Sequence, residues 1–332
     1  MPNIFRYVLL GKESERGTAV EGDIALDPTS CTLDAPQNYE IIVPGGMGRM
    51  SRRKRKGFYS SGGGIEYPVD INSIGHLMRG VLDKYQFTAA EAPATINTHE
   101  FYGGNENELT SWTYRVGKDV HEHIFAGCST NSLTLSVSDG LASASLDIFG
   151  GPDDTDTLKS YSDFSSKLPT GYPMAFYDVS ATVNSVDSSA ICRSVQLAIN
   201  NNLGRDSGRC IGSCYPSTFK AGDRLVEATL EMQFNDLTHQ TLFWGDAGGP
   251  AADGSTPFPL VIEMNGGSNQ KITFSMPNCM MTSAPQQPRG RDILYQTITA
   301  RALLEEDVAL KDLSTVDTDI LVTLENTGAT LA

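Results

Sequence analysis

Nine consecutive residues, Val226-Glu-Ala228-Thr-Leu230-Glu-Met232-Gln-Phe234, alternate apolar and polar without a break. A period of two puts one set of side chains on each face of a strand, so this segment specifies a sheet with one dry and one wet face. Leu133-Thr-Leu135-Ser-Val137 and Ala144-Ser-Leu146-Asp-Ile148 repeat the pattern. Ser138-Asp139-Gly140 between them supplies a turn, which gives a β-hairpin over 131–149. Further strands are expected at 57–67, 110–125, 193–200, 259–265, 271–276, 292–302 and 318–324. The fold class is mainly β.

Helices are few. Asp70-Ile-Asn-Ser73 offers capping chemistry, and Ile74, Leu77, Met78, Val81 and Leu82 follow at the spacing of one helix face. Asp236 precedes a short apolar run, Leu237 to Trp244, that stops at Gly245. Ala302–Leu310 is a third expected helix.

With 332 residues, the chain has the length of about two ordinary domains. Its 25 Lys+Arg against 40 Asp+Glu leave a net charge of −15, which argues against binding nucleic acid through phosphates. No apolar stretch reaches the ~18 residues of a membrane span. The first ten residues lack the pattern of an export signal, so no export is expected, and no membrane anchor is expected either.

Six cysteines are scattered at 31, 128, 192, 210, 214 and 279 and read as reduced, structural thiols. The close pair Cys210-Ile-Gly-Ser-Cys214 fits a loop disulfide or two free thiols better than zinc, since no second Cys/His pair follows. His121 and His123 share a strand face near Cys128, and a half-exposed strand with two polar residues explains them better than a metal site. There is no Gly-x-Ser-x-Gly elbow, His-Glu-x-x-His or phosphate-binding glycine loop, and Gly45-Gly-Met-Gly-Arg49 reads as a flexible loop. The acidic turn Asp153-Asp-Thr-Asp156 lacks the Gly and Glu of a calcium loop. No catalytic site and no cofactor are expected.

The segments around Cys128 and Cys192 are followed by matching apolar positions: Leu133, Leu135 and Val137 in one, Val195, Leu197 and Ile199 in the other. On the returning strands Ala144, Leu146 and Ile148 match Ala228, Leu230 and Met232, with an insertion at 200–224. A second echo runs strand then helix, from Ile65-Glu-Tyr67 into 72–84 and from Leu230-Glu-Met232 into 237–244. Two copies of one module follow. An N-terminal arm and loops would occupy 1–56, the first module 57–190 and the second 191–332.

The wet faces carry Thr134, Ser136, Ser143, Ser145 and Asp147 on one hairpin and Thr229, Glu231 and Gln233 on the other, with no Lys or Arg among them. Short polar side chains suit sheets crowded around a channel, though Thr also serves an ordinary solvent face. Arg49, Arg52, Arg53, Lys54, Arg55 and Lys56 form a basic run. It fits a nucleic-acid or other anionic surface, the acidic surface of another copy, or a solvated loop.

Gly57-Phe-Tyr-Ser-Ser-Gly-Gly-Gly-Ile-Glu-Tyr67, leading to Asp70-Ile-Asn-Ser-Ile-Gly-His-Leu-Met-Arg-Gly-Val-Leu82, resembles the strand-to-helix segment of tail tube proteins of long-tailed viruses of bacteria and archaea. Phe125 to Val137 with Leu141 to Gly150 resembles that family's central hairpin. Val195 to Leu203, Tyr215-Pro-Ser217 and Ala221 to Leu230 resemble its second hairpin and intervening loop. The glycines at 62–64 and the basic run before them depart from the pattern.

The resemblance implies a noncatalytic virion protein whose rings stack into a hollow tube that conducts viral DNA without specific binding. It implies two orthogonally packed antiparallel sheets per module, sandwich- or barrel-like, with a flanking short helix. A duplicated module implies trimeric, pseudo-hexameric rings, with hexameric rings second. Partners would be copies of itself and the tail terminator, tape-measure and distal tail proteins, in a virion tail assembled in the host cytoplasm. Asp147, Glu231, Glu66, Ser143, Ser145, Thr229 and Gln233 are the expected lumen-facing residues. Arg52, Arg53, Lys54, Arg55, Leu203, Arg205, Tyr215 and Phe219 are the expected subunit contacts. The competing reading is a β-sandwich adhesion or carbohydrate-binding module of a virion or cell surface. The two tryptophans, 112 and 244, are few for that class.

Overall fold

A computed structural model describes residues 7–42, 51, 53–171, 173–252, 254–267, 270–286, 293–328 and 331. The first part of the chain forms β1 (Val8–Lys12), β2 (Ile24–Leu26), β3 (Ser30–Cys31), β4 (Tyr39–Ile42), β5 (Arg53–Lys56) and β6 (Ser61–Pro68). Then come α1 (Ile74–Leu82), β7 (Asp83–Thr88), β8 (Asn97–Gly103), β9 (Trp112–Gly117), β10 (Glu122–Val137), β11 (Ser143–Gly150) and β12 (Asp153–Asp156). After a one-turn helix, α2 (Tyr161–Phe164), follow β13 (Val179–Val183), β14 (Val186–Asp187), β15 (Cys192–Asn200), β16 (Leu225–Gln233) and α3 (Thr238–Trp244). The chain ends through β17 (Phe258–Asn265), β18 (Lys271–Ser283), β19 (Tyr295–Ala302), β20 (Glu305–Ala309), β21 (Thr315–Thr318) and β22 (Leu321–Asn326).

The central feature is an antiparallel run in the order β3-β6-β11-β10-β15-β16-β19-β18. Along it, alternation sends Ile65, Leu133, Leu146, Leu197, Leu230 and Ile298 into the core and the polar set to the other side. Two strands leave the run and enter outer layers. The N-terminal half of β10 pairs with β9 and β12, and β9 with the β1-β2 hairpin. The N-terminal half of β18 pairs with β17 and β22; β17 continues to β13 and β14, and β22 to β8 and β7. The apolar faces of all these layers share one continuous core. The fold is therefore mainly β and antiparallel, and sandwich-like in its layering.

Each bridging strand bends for a local reason. In β10 the bend falls at Gly127, whose φ of +64° suits glycine, beside a register shift between Phe125 and Cys128. The buried Glu13 carboxylate holds it by accepting from the Gly127 amide at 2.8 Å and from the Thr113 hydroxyl at 2.8 Å. In β18 the bend lies beside Pro277, which has no amide to donate, and the ladder to β17 shifts register there. Cys128 and Cys279 sit at the two bends, buried, each thiol donating to the carbonyl three residues earlier.

Helix α1 forms where its apolar spacing predicts, burying Ile74, Leu77, Met78, Val81 and Leu82, and packs on β7, β8 and β10. Asp70 accepts from the Asn72 amide and the Ser73 hydroxyl just before it. Helix α3 also forms as expected. The third expected helix does not: Glu305–Ala309 is a strand paired with Thr315–Thr318. The turn-forming Lys311-Asp-Leu-Ser314 closes a hairpin, and Asp307 at φ +57° breaks helical continuity. The single strand expected over 110–125 is two strands joined by a turn at 118–121. Residues 7–35, expected within an N-terminal arm, carry β1, β2 and β3 into the sheets, with Val8, Leu9 and Leu10 almost fully buried.

Burial of histidines gives the fold a pH dependence. His76 on α1 is pushed down to about 4 by burial, with Arg79 and His99 adding to the effect. His99 and His239 are lowered as well, again chiefly by burial. Between that value and the ordinary ~6.5, the unfolded chain binds more protons than the native one, so stability falls as pH falls through this window. Thermal unfolding is expected to register a loss of about 2 kcal/mol from His76 between pH 7 and pH 5. The His76→Gln chain should have a visibly flatter profile, and an unchanged slope would contradict the assignment.

Candidate functional site

All seven residues expected to face a lumen lie on the open side of the central run. Cross-strand register defines the rows. One reads Ser30, Glu66, Ser145, Thr134, Ala198, Glu227, Arg301, Met280 across eight strands. The next carries Ser143, Ser136, Gln196, Thr229 and Thr299. Asp147 stands opposite Gly64 and Ser132, Glu231 opposite Ser194 and Thr297, and Gln233 opposite Tyr295.

The face is more mixed than the two hairpins suggested. Glu227 adds a carboxylate, whereas Arg301 and Arg193 are exposed cations on the second half, Arg193 stacking over the Tyr295 ring at 5.4 Å. Periodicity along β16 and β19 carries the signal for Glu227 and Arg301. Arg205 adds a third cation where it stacks on Phe149 of the same face, and the four carboxylates still outnumber these three arginines. One of the four, Asp147, has a structural task, because Asn131 donates to it at 2.8 Å while accepting from the Leu203 amide.

The insertion 200–224 folds back on its own chain. Leu203 and Phe219, expected as subunit contacts, are buried with Leu109 and against Phe149 and Ala221. An apolar cluster formed within the chain takes up both side chains. Arg205 stacks on Phe149 at 4.7 Å, and Tyr215 packs edge-on against Tyr59. Only the loop tip stands free, with Ile211 fully exposed.

Of the basic run, Arg53, Lys54 and Arg55 lie exposed on β5, which pairs only with β4 among the described residues. Arg49 and Arg52 lie outside the described residues. The β4-β5 ribbon also exposes Tyr39, Ile41 and Ile42.

The remaining motifs resolve into structure. Lys118 donates to His123 Nδ1 at 3.3 Å, so Nε2 carries the proton toward Asp153 at 3.1 Å, while Cys128 bonds backbone. Burial disfavours ionised Asp153, but hydrogen bonds from Tyr59 and His123 outweigh it and hold its carboxyl below the usual range. Among the described residues no cluster of His, Cys, Asp or Glu has the geometry of a metal site. Cys210 and Cys214 are free thiols. No helix among the described residues is long and apolar enough to cross a membrane.

The described residues thus form a layered antiparallel β chain with a polar open face on its central run. The chain belongs to the phage tail tube protein family, whose model matches residues 6–302. It is therefore a structural tail component, and the family implies self-assembly into a tube with other tail proteins. No match was found among curated proteins.

Proposed function

We propose that three copies of this chain form each ring of the tube, and that the open face of the central run lines the bore through which viral DNA passes. The observation that carries this reading is a repetition of strand pairings. β3-β6-β11-β10 recurs as β15-β16-β19-β18. The outer pairings β2-β1-β9-β10 recur as β14-β13-β17-β18. Helices α1 and α3 follow equivalent strands, and the buried thiols at the two bends coincide: Cys279 opposes Phe258 as Cys128 opposes Trp112.

This pattern favours the strand-to-helix echo over the hairpin echo. In it the first unit begins at β1 and ends at β12, the second runs from β13 to β22, and Glu66 and Glu231 are the matching carboxylates. The joint between units is the pairing of β10 with β15, in which Ser132 faces Asn200 and Leu135 faces Leu197. The equivalent edges are free: among the described residues β3 pairs only with β6, and residues 280–283 only with β19. An open edge is a hazard in a monomer, and repeating the internal joint between chains removes it. Ser283–Gln286 of one chain then lie beside Leu33–Pro36 of the next.

Strand spacing supports three chains rather than six. Eight strands from each of three chains, at ~4.8 Å apiece, enclose a bore about 37 Å across between backbones, room for one duplex. Six chains would double that width. The small, net acidic lining then lets phosphates slide without being held. Terminator, tape-measure and distal tail proteins would cap and fill the tube, and assembly in the host cytoplasm would precede packaging into the virion.

Electron microscopy of the purified protein at high concentration tests the reading. Stacked hollow rings support it; dispersed monomers that bind glycans would replace it with the adhesion module.

A further inference from the structure

We propose that the basic β4-β5 ribbon of each chain docks on the acidic β20-β21 ribbon of its neighbour within the ring. The inference rests on the edge-to-edge joint above and adds a specific contact to it.

Both ribbons are two-stranded sheets paired to nothing else among the described residues. The β20-β21 hairpin is held to its own chain at the turn, where Glu100 accepts from the Lys311 amide, and at Thr318, which accepts from the Gly103 amide. The β4-β5 ribbon pairs with no other sheet among the described residues, and a two-stranded ribbon of this kind is marginal in water until it finds a partner surface. Their charges are opposite. β5 presents Arg53, Lys54 and Arg55, whereas Glu305, Glu306, Asp307 and Asp317 stand exposed on β20 and β21. Among the described residues none of these seven takes part in a salt bridge. Exposed apolar side chains accompany both sets: Ile41 and Ile42 on one, Leu304 and Leu313 beside the other. A solvated charge pattern alone would not require these.

Placement decides which copy is met. Both ribbons leave the same end of the central run, because Ser61 of β6 and Ala302 of β19 mark that end of their strands. They leave at opposite flanks, one at β3-β6 and the other at β19. Inside one chain five to six strand spacings separate them, about 25–30 Å, beyond the ~8 Å screening length. Across the joint the separation falls to two or three spacings, about 10–15 Å, which ribbons of four or five residues can span. The internal joint offers a precedent. There the loop 201–224, equivalent to the connection that carries β4-β5, folds over the preceding unit through the bridge of Glu108 with Lys220.

Cysteines at Arg55→Cys and Glu306→Cys, with Cys210→Ser to remove an exposed thiol, place the test in assembled tubes. Oxidation should link chains into dimers and trimers and stop there. A ladder growing without limit would mean that the ribbon bridges successive rings, and would overturn the proposal. The pair Ser283→Cys and Pro36→Cys probes the sheet joint separately. If that pair links while the ribbon pair does not, only the ribbon contact fails; if neither links in normal tubes, the joint fails too. As a second arm, Arg53, Lys54 and Arg55 changed together to Glu should slow assembly about tenfold at physiological salt. Adding Glu305→Lys, Glu306→Lys and Asp307→Lys should restore it. A slowed variant that the second set does not rescue contradicts the pairing.

Discussion

Tubes assembled from a chain carrying Glu66→Lys, Glu227→Lys and Glu231→Lys should reach normal length yet deliver DNA poorly. All three side chains lie on the open face of the central run, and among the described residues none forms a salt bridge, so the fold does not depend on them. Asp147 is left in place because its carboxylate anchors Asn131. On the proposed reading, in which this face lines the bore, reversal would turn a surface that repels phosphates into one that holds them, each contact releasing counterions from the DNA. A drop in ejection rate on the order of tenfold or more is expected, relieved by raising salt, because phosphate contacts weaken steeply with ionic strength. The measurement is infectivity alongside ejection kinetics of virions bearing such tubes. Full infectivity would remove these residues from the bore.

The largest single effect on folding is expected at Arg115. Its guanidinium sits 2.6 Å from the fully buried Glu122 carboxylate, which also accepts from the Tyr7 hydroxyl at 2.8 Å. The same guanidinium reaches Glu21 at 3.1 Å and the Val20 carbonyl, and the Lys159 amide donates to Tyr7. One buried cation therefore ties β9, β10, the start of β1 and the segment after β12. Arg115→Ala leaves Glu122 buried without a counter-charge, which costs about 3–5 kcal/mol. Thermal unfolding should register it as a large drop, and the double variant Arg115→Met with Glu122→Leu should recover most of the loss. An Arg115→Ala chain as stable as the parent would mean that the pair is solvated after all.

What the sequence made legible follows from which elements obey a simple period. The strands β10, β11, β15 and β16 alternate cleanly because one face is core and the other open, and these carry most of the candidate face. Strand β1 was hidden for the opposite reason: Val8, Leu9 and Leu10 are buried on both sides, so the run shows no alternation. Strand β8 was hidden by buried polar residues, since His99 and Glu100 interrupt its apolar pattern with side chains that bond internally. Leu203 and Phe219 looked like contacts for a neighbour because a glycine-rich insertion gave no sign of folding back on Leu109. Periodicity along β19 places Arg301 on the polar side of its strand, but the row it completes joins strands far apart in sequence, which no single-strand pattern reveals.

The claim on which the rest depends is that each chain supplies two units and closes its ring with two others. Averaging electron-microscope images of the tubes along their axis counts the chains in a ring directly. Three chains per ring, with six similar densities around the bore, is the result expected. Six chains per ring, with twelve such densities, would contradict the account.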